Sequence, residues 1–169
     1  MIFSRIIILV TVLIISDAIA DECASGKVKL CEIIRDAHTS NQDGLKLMDG
    51  ESAKAALDSA DGLVVAVLEA EGSELIAALK KALEAELGAY VQVKAECPTL
   101  GGKCKEVLFE VGYALLGLIM AIADEHPDVK TMTNVEDTLE TVYPHMFDAD
   151  PSQYRDKLYD AGKKILEII

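Results

Sequence analysis

The residues of this chain with chemistry to offer are four cysteines, three histidines and a large surplus of acids. The cysteines are Cys23, Cys31, Cys97 and Cys104, spaced C-x7-C and C-x6-C. Zinc sites favour tighter pairs such as C-x2-C, whereas an even cysteine count in an exported chain favours disulfides. Three connectivities compete. Helix ends joined by a short turn lie readily within disulfide reach, so Cys97 is expected to pair with Cys104 and, by elimination, Cys23 with Cys31. Two bridges would leave no thiol to act as a nucleophile.

The histidines, His38, His126 and His145, form no H-E-x-x-H pair and read as separate surface residues. The group Asp124, Glu125, His126 and Asp128 lacks the alternating ligands and central glycine of a calcium loop, and is read as a solvated helix end. Gly101, Gly102 and Lys103 resemble the tail of a phosphate-binding loop only superficially. Cys97 stands at the first glycine position, and Cys104 replaces the hydroxyl that would hold magnesium. No G-x-S-x-G elbow occurs. Acids such as Glu84 and Glu86 are assigned to the polar side of a helix. The expectation is a non-enzymatic protein with no metal and no cofactor.

One concentration of polar aromatic residues stands out: Tyr143, His145, Met146, Phe147, Tyr154 and Tyr159 near the C-terminus. Methionine and tyrosine line adaptable apolar sites, so these residues, together with Met120, are the candidate contacts for a ligand or partner. The competing reading is that large side chains plug the end of an alanine-rich bundle.

At the start of the chain, residues 1–20 carry Arg5, the aliphatic block Ile6–Ile15, and Ala18 and Ala20, the pattern of a cleaved secretory signal peptide. Removing them from 169 residues leaves a secreted, extracellular domain over 21–169, long enough for a real core. The net charge of −13 opposes phosphate backbones and anionic lipid surfaces, so nucleic acid is excluded as a partner. No membrane association is expected after cleavage, and no N-x-S/T glycosylation site is present.

The apolar spacing is helical throughout. Helices are expected over about Lys27 to Thr39, followed by a Gly- and Asn-punctuated loop or short extra turn to Gly50, with a helical turn over Leu45 to Met48 as the alternative to loop; then from Glu51, with an interruption at Gly72 that favours two helices over one. Gly62 suggests a close crossing or bend. Pro98 and the glycines Gly101 and Gly102 predict a reversal, after which a central apolar helix runs over about 105–124. It carries one stripe at Val107, Val111, Leu115, Leu118, Ile119 and Ile122, with Phe109, Tyr113, Leu116 and Met120 on much of its other side. After HPDVKTM, Thr133 and Glu136 match a capping box for a short helix ending near Pro144, and Asp150, Pro151 and Gln153 mark the start of the last helix. The fold class is all-α, a single-domain bundle of five to six helices with two disulfides. The function that follows is binding of a protein partner or a small apolar ligand. The alternatives are a self-associating matrix protein of a secretion and a hydrolase with an unrecognised site.

Overall fold

A computed structural model describes residues 28–49, 51–146, 148 and 152–169. The expected signal peptide, Cys23, Phe147, Asp150 and Pro151 lie outside the described residues. Within them the chain is all-helical: α1 (Val28–Leu47), α2 (Glu51–Ala66), α3 (Ser73–Leu100), α4 (Cys104–Glu125), α5 (Pro127–Thr133), α6 (Val135–Val142) and α7 (Ser152–Ile168).

Helix α1 runs well past Thr39, through the segment expected to be a loop. The apolar pattern weakens there because two of its inward positions are polar: Ser40 and Asn41 are both buried. Gly44 continues the same face, where a Cβ would lie 3.2 Å from Leu57 Cδ2. Residues 51–96 do belong to two helices. A 3-10 turn over Val67–Glu69 ends α2, and Gly72, at φ 54°, precedes α3. Gly62 marks neither a crossing nor a bend, since it is exposed and faces open space.

Pro98 does not end α3, which continues to Leu100. In the last turn of a helix, proline's missing N–H deprives only one carbonyl of its partner, here that of the exposed Lys94. The break comes at Gly101, whose φ of 57° and ψ of −132° suit a residue without a Cβ. Cys97 and Cys104 are bridged across it, with 5.1 Å between their Cα atoms. In the loop-closure picture so short a loop contributes about 2.5 kcal/mol. Replacing both cysteines by serine should lower unfolding stability by about that amount, as read by urea titration. The second expected bridge involves Cys23, so one disulfide is seen among the described residues, where no cysteine is a free thiol.

Two other expectations change in the C-terminal third. The segment after His126 is helical, with Pro127 in the first turn of α5. The N-cap position of α6 is held by Asn134 and not by Thr133. Asn134 takes the left-handed conformation at φ 49° between α5 and α6, without a side-chain cap, and asparagine tolerates that conformation better than most residues. Pro144 lies inside a 3-10 turn, Tyr143–His145, that extends α6.

Helix α4 sits at the centre, packed against α1, α3 and α7. The stretch Ser73–Glu125 is long and apolar enough to cross a membrane, but 67% of its most apolar window is buried within the protein, as in a core helix. The apolar interior falls into two clusters. One gathers Ile34, Leu79, Leu83, Leu115, Leu118, Ile119, Ile122, Leu158 and Ile165. The other gathers Met48, Leu57, Ala60, Tyr90, Val93, Val107 and Val111. Between them lies a polar layer formed by the buried side chains of Ser40, Asn41, Asp61, Glu86 and Arg155.

Candidate functional site

A cleft of about 140 Å³ opens where α1 and α4 meet the end of α6. On α1 it is lined by Ile33, Asp36 and Ala37, and on α4 by Tyr113, Leu116, Gly117 and Met120. These spacings, i, i+3, i+4 and i+7, place each set along one face of its helix. Gly117 brings the helices together, since a Cβ there would stand 3.5 Å from the Ile33 carbonyl oxygen and from Ala37 Cβ. Tyr143, half-exposed, closes one end. Phe109 stacks on Tyr113 at 6.1 Å between centroids and steadies that ring. Burial raises the Tyr113 hydroxyl above its ordinary pKa, and Tyr143, Asp36 and Glu110 add to the rise. The lining is therefore apolar, with two phenol rings and one carboxyl.

The candidate contacts predicted from sequence separate into several places. Met120 and Tyr143 share the cleft. Met146 is buried at 1% exposure and packs toward Gly112, where a Cβ would lie 3.4 Å from Met146 Cε. His145 stacks on Tyr154 with ring centroids 4.3 Å apart, and its Nδ1 lies 2.8 Å from Asp148 Oδ2. Tyr159 meets Tyr90 across α3 and α7 at 5.7 Å. Phe147 lies outside the described residues. Clustering in sequence misled because α7 turns its tyrosines toward α3 and the 3-10 turn. The better signal was the second stripe of α4, Tyr113, Leu116 and Met120, which a core-only reading has no use for.

The polar layer is the second concentration of chemistry. Asp61 of α2 accepts from Gln42 Nε2 at 2.6 Å, and its two oxygens lie 2.9 and 3.0 Å from His38 Nδ1. His38 is thus part of an internal tie between α1 and α2 and not an isolated surface residue. Asn41 Nδ2 donates to Glu86 Oε2 at 3.1 Å, in a site where Glu86 is completely buried. The assignment of Glu86 to a polar helix face is therefore overturned: α3 is enclosed on that side by α1 and α2. Burial pushes the Glu86 carboxyl up from 4.5 to about 8, opposed by the Asn41 hydrogen bond and reinforced by Asp61. Among the described residues Asn41 Oδ1 and Glu86 Oε1 have no hydrogen-bond partner. Both are acceptors while Glu86 is ionised, and a proton on Glu86 supplies the donor that is missing. On α4, Glu110 is also raised, by burial first, against a hydrogen bond from Ser40.

The His38–Asp61 pair has the hydrogen bond of a general-base dyad. A dyad of that kind needs a nucleophile or a substrate-sized opening beside it. The groove nearest to Gln42, lined by Leu45, Lys46, Lys54, Ala55 and Asp58, contains no serine, threonine or cysteine. The layer's geometry instead ties α1, α2 and α3 in register. Among the described residues no cluster of His, Cys, Asp and Glu has the arrangement of a metal site.

Taken together, the fold and the cleft define the class: a disulfide-stapled all-helical bundle with a polar layer in its core and a small aromatic cleft on its flank. No known protein family, curated protein or solved structure matches the chain.

Proposed function

We propose that this is a secreted, non-enzymatic binding protein that takes a small apolar molecule, of about the size of one aromatic ring, into the cleft between α1 and α4. The observation that carries the reading is the shape and lining of that cleft: about 140 Å³, walled by Ile33, Ala37, Leu116 and Met120, with the rings of Tyr113 and Tyr143. Apolar cavities of roughly 150 Å³ in other proteins stay dry and accept benzene, which sets the scale of the ligand. Methionine adapts its shape to what it meets, and tyrosine offers a ring face with a polar tip. Export is supported by the pattern of residues 1–20 and by the even number of cysteines.

Ligand binding to the native state raises stability by an amount set by mass action, about 2.7 kcal/mol at a hundredfold excess over Kd. In buffer approaching saturation with toluene, the thermal midpoint of the wild-type protein should therefore rise. In Met120→Trp, whose indole fills the cleft, it should stay where it is. An equal rise in both proteins, or none in the wild type, would count against the proposal.

A further inference from the structure

We propose that the preferred occupant of this cleft is a small amine whose ammonium group meets Asp36 while its ring or short alkyl body lies among Tyr113, Tyr143 and Met120. The inference rests on the binding reading above and goes beyond it by naming the ligand's charge. Asp36 is an exposed carboxyl of α1 among the lining residues, which include no lysine, arginine or histidine. Among the described residues it has no salt-bridge partner. It is close enough to Tyr113 to act on the phenol electrostatically.

Two consequences follow from this lining. A cation over the face of a tyrosine is attracted by the ring's quadrupole, and a carboxyl at the rim adds a charge-assisted hydrogen bond. An anion of the same size would meet Asp36 with no compensating base among the lining residues. The overall charge of −13 extends the same preference outward by raising the local concentration of cations. At a half-open site each of these contributions is modest, and together they correspond to roughly tenfold in affinity.

The test uses three ligands of one shape: benzylamine, benzyl alcohol and benzoate, titrated into the disulfide-bonded protein at low salt and followed by methyl and amide NMR shifts. Benzylamine should bind about tenfold more tightly than benzyl alcohol, and benzoate more weakly than both. Asp36→Asn should bring benzylamine to the level of the alcohol without changing the alcohol's affinity, and Tyr143→Ala should weaken both. Asp36 and Tyr143 are exposed side chains, so both variants are expected to fold, which the unperturbed spectrum away from the cleft verifies. Equal binding of amine and alcohol with no effect of Asp36→Asn would overturn the charge preference and leave the binding reading standing. Failure of all three ligands to shift the cleft's signals would overturn both.

Discussion

Replacing Glu86 by glutamine should remove most of the dependence of this protein's stability on pH between about pH 5 and pH 9. Glu86 is wholly buried, and its carboxyl is raised from 4.5 to about 8 in the folded protein. In that interval the folded state holds a proton that the unfolded state has released. A group of this kind contributes its stability fully below the unfolded value, and the contribution is lost as pH rises through the folded value. The gap corresponds to roughly 5 kcal/mol, an upper bound because a buried site relaxes and admits water when it ionises. Glu110 shifts in the same direction but is only partly buried, so its share is smaller. Asp156 works in the opposite sense. Hydrogen bonding to Lys94 lowers its pKa, so its contribution is lost as pH falls and belongs to the acid side of the profile. Glutamine keeps an oxygen to accept from Asn41 Nδ2 and, like a protonated Glu86, is neutral and has a donor to offer. Urea unfolding of the wild type should therefore show falling stability from about pH 5 upward, and Glu86→Gln a much flatter profile. A wild-type profile that is flat, or a variant that falls as steeply, would show that the acid is not held neutral.

The second large effect is expected at Ile119. Its side chain is fully buried in α4, within the larger apolar cluster. Removing three carbons there loses their transfer free energy and leaves a cavity that the surrounding helices can close only in part, so Ile119→Ala should cost about 2–5 kcal/mol. For a domain whose whole stability is on the order of 5–15 kcal/mol, that is enough to unfold a sizeable fraction near body temperature. Val91, an exposed residue of α3, is the control, with a change to alanine expected within about 0.5 kcal/mol of wild type. Equal, small losses at both positions would mean that α4 is not the centre of the core.

The helices were legible in the sequence wherever the inward face is apolar. The stripe Leu30, Ile34 and Ala37 marks the first half of α1, and the dense run of α4 identifies it as central. Legibility failed where the inward face becomes polar. Ser40 and Asn41 interrupt the pattern of α1, and Glu86, flanked by Glu84, looks like a solvent residue until Asn41 is brought against it from 45 positions away. Such pairings depend on how helices are placed side by side, which periodicity within one helix does not encode. The turn at Gly101 was marked by its glycines, although Pro98 drew attention to a helix end three residues early. As for the cleft, Met120 and Tyr143 were among the candidate contacts, but Asp36 was not, because nothing in the spacing of α1 tells which of its charged residues will face α4.

Binding through the α1–α4 cleft is decided by methyl NMR of the labelled protein during a toluene titration. The cleft predicts saturable shifts confined to the methyl groups of Ile33, Ala37, Leu116 and Met120. Absence of saturable shifts, or their appearance instead around Leu45 and Ala55 in the open groove between α1 and α2, would contradict it.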